Sequence, residues 1–315
     1  MEGKNVLVTG GAGFIGSHIC ERLLKNKNTV FCVDNLVTGT KDNVKLFLKD
    51  PNFTFIEQDV SKHPIEIDHK IDYIFHLASP ASPVDYQKYP IETMMVNSIG
   101  TLNVLNFAKK KGATLLFSST SEVYGDPQKH PQSEDYWGNV NTMGPRSCYD
   151  ESKRFAEALT FSYHQLYGID VKIARIFNTY GPRMRANDGR AIPNFVSQSL
   201  AGRPVTVYGD GKQTRSFCYI SDMVNGLITL IESKYSGEPF NIGNPDERKI
   251  VKVAEMVQEI TETKSKIVFK PLPKDDPAKR RPDIKKSLSK LRWEPKIGFS
   301  DGLKLTIDYF RNELV

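Results

Sequence analysis

Gly10-Gly11-Ala12-Gly13-Phe14-Ile15-Gly16 limits the possible folds of this chain more than any other segment. It follows a short β-branched run, Asn5–Thr9, and opens a stretch with apolar residues at helical spacing, Ile15, Ile19 and Leu23. The run satisfies G-x-G-x-x-G from Gly11 and G-x-x-G-x-x-G from Gly10. Strand, tight glycine turn and helix, in that order, begin a dinucleotide-binding unit. The glycines let the backbone approach a pyrophosphate, and the helix N-terminus supplies N–H donors and positive dipole. Asp34 lies 18 residues beyond Gly16, at the end of the next strand-like run, Thr29–Val33. A carboxylate there binds adenosine ribose hydroxyls and repels a 2′-phosphate. The following Asn35-Leu36-Val37 contains no arginine to compensate, so the expected cofactor is NAD rather than NADP.

The alternation continues through strand-like Phe53–Glu57, Ile71–His76, Thr114–Ser118 and Val171–Phe177, with long helices over Ile91–Lys111 and Arg146–Tyr167. This pattern predicts an α/β fold, a Rossmann-type doubly wound parallel sheet. After Asn178 the texture changes. Helical segments near Ile192–Leu200 and Ile250–Thr261 mix with strands at Val205–Tyr208 and Ile267–Phe269. We expect a NAD-binding domain over 1–180, with 214–243 returning to it. A smaller, partly interleaved C-terminal α/β substrate lobe takes 181–213 and 244–315. Pro271–Pro282 reads as an ordered loop over a site or a surface linker.

Composition excludes several classes. Apolar residues are 39% and charged residues 25% of the 315, as in globular chains. The longest apolar runs, such as Leu102–Ala108, are too short to cross a bilayer, and the N-terminus reads as a strand rather than a secretory leader. The net charge of +6 is scattered, which suits an anionic ligand better than nucleic acid. Cys20, Cys32, Cys148 and Cys218 form no C-x-x-C pair, and the six histidines form no metal-binding pattern. No metal is expected, and a cytoplasmic setting is.

Tyr149 and Lys153 are four apart in a helical segment and share a face. An ammonium nearby favours phenolate, which makes Tyr149 a candidate base for a hydroxyl. Ser118-Ser119-Thr120-Ser121-Glu122 follows a strand, at the end of the sheet where this architecture places its sites.

Gly10–Gly16, Ser118–Gly125 and Tyr149-x-x-x-Lys153 together resemble the extended short-chain dehydrogenases/reductases that act on nucleotide sugars. Further similar stretches are His76–Pro83, Gly144–Glu151, Arg175–Met184 and Val207–Arg215. With Lys279-Arg280-Arg281-Pro282-Asp283 they resemble the UDP-glucuronate decarboxylase branch, over nearly the whole chain. The resemblance implies that Tyr149 takes the 4-hydroxyl proton while C4 gives hydride to NAD. Thr120 would hold the oxygen and Lys153 the nicotinamide ribose. Ser121 stands where related 4,6-dehydratases carry an acidic residue, so leaving carbon dioxide needs no strong acid there. Glu122 and Arg280 would share the later acid–base work, with orientation of the sugar carboxylate an equal alternative for Arg280. The cofactor would also meet Asp59, Val60, Leu77 and Ala78. The UDP-sugar would meet Pro80, Tyr86, Asn178, Arg183, Tyr208 and Arg215, with the diphosphate on Asn178 and the two arginines. Tyr208 would pack on uracil or be a strand aromatic of the lobe. The branch further implies a homodimer through a four-helix bundle of the two long helices. Rival readings are release of a UDP-4-keto-pentose, a 4,6-dehydratase, and an inactive NAD-binding sensor.

Overall fold

The computed structural model describes residues 1–314. Its centre is a seven-stranded sheet. The strands are β1 (Asn5–Thr9), β2 (Thr29–Asp34), β3 (Phe53–Glu57), β4 (Tyr73–His76), β5 (Thr114–Thr120), β6 (Val171–Ile176) and a last strand, Pro239–Ile242. Their spatial order is Pro239–Ile242, β6, β5, β4, β1, β2, β3, with every neighbour parallel. The order reverses between β1 and β4, where Thr9 stands beside both Val33 and His76. Such a switch point opens a crevice at the carboxyl ends of the strands.

The sheet is apolar on both faces because helices cover both. Along β1, Val6 and Val8 join one core cluster with Ile19 and Leu23 of helix α1 (Phe14–Lys25). Leu7, pointing the other way, joins a second cluster with Val104 and Leu105 of the helix Thr101–Lys111. That period of two is what strand geometry requires. The helices Thr101–Lys111 and Ser147–Tyr167 both stop at left-handed glycines, Gly112 (φ +64°) and Gly168 (φ +67°), where a side chain would be strained.

The expected single helix over Ile91–Lys111 is instead Pro90–Met95, a π-helical turn over Val96–Gly100, and Thr101–Lys111. Within the wide turn the Gly100 backbone lies so close to Val60 that an added Cβ would come within 3.3 Å of its methyl. Asn97, from the same turn, donates to Ser152 Oγ at 2.9 Å.

In the C-terminal part, helices Ala191–Leu200, Ile250–Thr261 and Phe299–Leu314 surround the parallel pair Val205–Tyr208 and Ile267–Lys270. The strand Thr214–Ser216 lies between Glu247–Lys249 and Lys279–Arg280. The stretch expected as loop or linker over Pro271–Pro282 therefore ends in a short strand, with Arg280 in register beside Arg215.

Candidate active site

The carboxyl ends of the sheet and the C-terminal elements enclose a cleft of about 760 Å³. All the cofactor, substrate and catalytic candidates read from the sequence lie along its walls.

At one end is the glycine turn. Gly10 has φ +71°, donates to the Val33 carbonyl at 2.8 Å and accepts from Gly13 N–H at 3.1 Å. A Cβ on Gly10 would lie 2.8 Å from the Leu77–Ala78 peptide, and one on Gly16 would strike the Gly10 carbonyl. No side chain caps α1 at Gly13, so its first N–H groups are free for an anion. Asp34 is buried at the end of β2, where Ala12 N–H (3.0 Å) and Leu36 N–H (2.8 Å) donate to separate oxygens. Each oxygen keeps a lone pair for a ribose hydroxyl. Burial raises the Asp34 pKa against those donors. Asn35 donates to Asp59 at 3.2 Å, closing the far rim. This cradle fits an NAD dinucleotide.

At the centre, Tyr149 and Lys153 come from successive turns of the helix Ser147–Tyr167. Lys153 Nζ donates to the Ser118 carbonyl at 2.8 Å and lies 5.9 Å from the Tyr149 ring centre. Burial pushes Lys153 down to about 7. Burial also pushes the Tyr149 phenol up, with a smaller opposing pull from the Thr120 hydroxyl. Here the expectation that Lys153 lowers Tyr149 is corrected. Desolvation dominates, and the ammonium is turned to a carbonyl. Tyr86 stacks on Tyr149, with centres 5.0 Å apart and planes 7° apart, and its buried hydroxyl has no partner.

At the other end Glu122 is gripped by two guanidinium groups. Arg280 Nη2 donates to Oε2 at 2.7 Å, Arg280 Nη1 donates to Oε1, and Arg146 Nη2 donates to Oε2. Burial opposes ionisation, but the charges of Arg146 and Arg280 win and hold Glu122 below the usual carboxylate range. Arg280 is thus buried in a carboxylate pair, not solvated in a basic loop. Arg215 Nη2 donates to Asp276 at 2.8 Å. Tyr208 is half-exposed on its strand, and Pro80 is buried at the turn before Tyr86. The carbonyl of Asn178 accepts from Cys218 N–H at 2.9 Å. Arg183, placed on the diphosphate from sequence, donates to Glu21 of α1 and covers the Phe47 ring at 5.8 Å, which turns it towards the dinucleotide end.

The model of the NAD-dependent epimerase/dehydratase family matches residues 6–243. The chain belongs to that family. It is 53% identical over 313 residues to UDP-glucuronic acid decarboxylase 2 of Arabidopsis thaliana, covering 99% of this chain and 69% of the relative. Among solved structures, UDP-glucose 4-epimerase of Thermotoga maritima with UDP-glucose superposes with a TM-score of 0.89 at 33% identity, covering 99% and 100% of the two chains. UDP-glucuronic acid 4-epimerase of Bacillus cereus, in complex with UDP-glucuronic acid and NAD, gives 0.88 at 31%, covering 98% and 99%.

For a member of the epimerase/dehydratase family, several groups at the sugar end carry little signal in the sequence. Arg146 gives none, because one arginine before a helix looks like any capping-region cation. Its contact with Glu122 crosses 24 residues. Asp276 pairs with both Arg215 and Arg146 (3.6 Å), which no local pattern announces. Half-buried Arg190 pairs with buried Asp188 near Tyr149. The acidic-basic alternation in Asp188-Gly189-Arg190 was the available signal.

Proposed function

We infer that this chain is an NAD-dependent carboxy-lyase that converts UDP-glucuronate to UDP-xylose. The observation that carries this reading is the sugar end of the cleft. There Thr120 and Ser121 lead into a Glu122 bridged by two arginines, and no acidic side chain occupies position 121. The identity to a UDP-glucuronic acid decarboxylase over nearly the full chain supports the same substrate.

Bound NAD would supply the oxidation of C4 and its later reversal. The other roles fall to the protein. Tyr149 accepts the proton of the 4-hydroxyl in its ionised form, which the Thr120 hydroxyl and the Arg190 charge favour against burial, with Lys153 on the next turn of the helix. Once C4 is a ketone, the C5 carboxylate belongs to a β-keto acid. Its carbon dioxide can leave because the electron pair enters the C4–C5 enolate. Arg280 and Arg146 orient the carboxylate, and guanidinium forks match its geometry. Glu122 holds those two cations in place. Arg215, Asn178 and Tyr208 hold the UDP part, and Arg183 works from the dinucleotide side. Tyr208 stacks on the base, where its half-exposed ring is accessible.

The same reading includes a homodimer through the two long helices, supported by their exposed apolar side chains. It also includes a cytoplasmic setting, supported by four free cysteines. No helix among the described residues is long and apolar enough to cross a membrane.

Proton NMR of the protein with UDP-glucuronate and catalytic NAD tests the function. Growth of a UDP-xylose anomeric signal with no net reduction of NAD is the expected result. A UDP-4-keto-pentose with stoichiometric NADH would remove the final reduction from the reading. An unchanged spectrum would remove the substrate.

A further inference from the structure

A second chamber, of about 210 Å³, shares Glu122, Arg146 and Asp276 with the cleft as a common wall. Asp150, on the first turn of the helix Ser147–Tyr167, lines this chamber and not the cleft. It is 5% exposed, and its Oδ1 has no hydrogen-bond partner. Its Oδ2 stands 4.0 Å from Arg146 Nε, which is also buried and unpartnered. The unpartnered Oδ1 and Nε, beside a polar space of this size, suit an ordered water. The outer wall carries the exposed Asn141, which donates to Asp275 at 2.9 Å.

The inference builds on the decarboxylase reading and asks where one proton comes from. Loss of carbon dioxide breaks the C5–carboxylate bond and leaves its electron pair in the enolate. C5 then takes up one proton, and solvent must replace it in every turnover. The proton on Tyr149 does not serve, because O4 needs it back when the hydroxyl is restored. Glu122, ionised between two arginines, has none to give, and guanidinium is a poor acid.

We propose that the chamber admits the proton destined for C5, and that Asp150 is the positioning residue that relays it through water to the Glu122–Arg146 wall. Asp150 gives its carboxyl proton through water to the Glu122 carboxylate, which hands one on to C5, and Asp150 recovers a proton from solvent by way of the chamber. The charged groups around it are Glu122, Arg146, Arg280 and its neighbour Glu151, with Asp126, Asp275 and Asp276 lining the same chamber. Burial first, then the charge of Glu122, raises its pKa, which favours the protonated form the relay requires.

The test is Asp150→Asn in the NAD-loaded protein, followed over one turnover. Carbon dioxide release should keep its wild-type rate, while formation of the C5-protonated sugar lags by roughly a hundredfold or more. The solvent deuterium effect on that later step should grow, with NAD content unchanged. Asn141→Trp narrows the outer wall, removes a hydrogen bond to Asp275 and leaves Asp150, Glu122 and Arg146 in place, and should give a smaller lag of the same kind. If Asp150→Asn slows both events equally with an unchanged solvent effect, Asp150 is structural and the relay is wrong. Wild-type behaviour in both variants would also overturn it. Failure of the wild-type protein to release carbon dioxide would instead overturn the function on which the relay is built.

Discussion

His76 lies wholly inside the protein under the catalytic strand ends. Its Nδ1 meets the Thr9 hydroxyl at 2.7 Å and its Nε2 the Thr101 hydroxyl at 3.1 Å. Burial first, then the charge of Lys153, lowers its pKa from 6.5 to about 3. The folded protein therefore binds fewer protons than the unfolded chain below pH 6.5. Stability from the neutral ring is complete above that pH and declines as pH falls towards 3. Between pH 6.5 and 5, before most carboxylates titrate, one such histidine should cost about 1.5 kcal/mol. His18, lowered to about 4 by burial and then by Arg183, adds in the same direction. Denaturant unfolding across this range should show the decline, and His76→Asn should flatten it. An unchanged slope in the variant would mean that His76 is already protonated in the fold. Individual residues were legible in the sequence where a local pattern carried their chemistry. Tyr149 and Lys153 announced themselves by a spacing of four, and Asp34 by its place after β2. Their ionisation did not follow from spacing. Lys153 turns to the Ser118 carbonyl, and desolvation outweighs pairing for Tyr149.

The glycine turn, β1 and α1 act as one element, and its tolerance can be stated sharply. Gly16 needs no unusual φ, yet an added methyl would meet the Gly10 carbonyl and lie 2.8 Å from Gly11 Cα. Both obstacles are backbone, so the turn must open to admit it. Gly16→Ala should therefore lose most NAD binding, by a hundredfold or more in Kd, while the chain still folds. Overpacking of this kind costs about 1–3 kcal/mol. Titration of cofactor by calorimetry, with the melting temperature alongside, separates the two effects. Near-normal affinity would show that the turn relaxes easily. Elements formed by neighbours in sequence were readable by period, as in β1 and the helix Ser147–Tyr167. The π turn over Val96–Gly100 was not, because the apolar spacing there continues as in an ordinary helix and the close approach of Gly100 to Val60 joins residues some forty apart. The strand Lys279–Arg280 was not either. Two residues make no pattern, and its partner Thr214–Ser216 lies in a distant part of the chain.

On the molecular surface the apolar residues are not evenly spread. Ile91, Met95, Ile99 and Leu102 are all exposed and recur at intervals of four, four and three along the run from Pro90 to Lys111. Phe155, Phe161 and Leu166 are exposed on the helix Ser147–Tyr167, which packs beside that run. Single exposed apolar side chains are ordinary, but seven on two adjacent helices make a face that water solvates poorly. Burying one such side chain fully is worth about 1.5–3 kcal/mol. Several together can offset the entropy lost when two molecules associate. A two-fold axis would lay the pair of helices against its copy and form a four-helix bundle. The second helix of this face carries Tyr149 and Lys153 near its start. A dimer would therefore stiffen the element that positions them. Light scattering should give twice the mass of the 35.6 kDa chain. Phe155→Glu with Ile91→Glu should give a monomer that still binds NAD, because neither side chain lines the cleft. A wild-type monomer at micromolar concentration would remove the bundle from the reading and leave the exposed face without a partner.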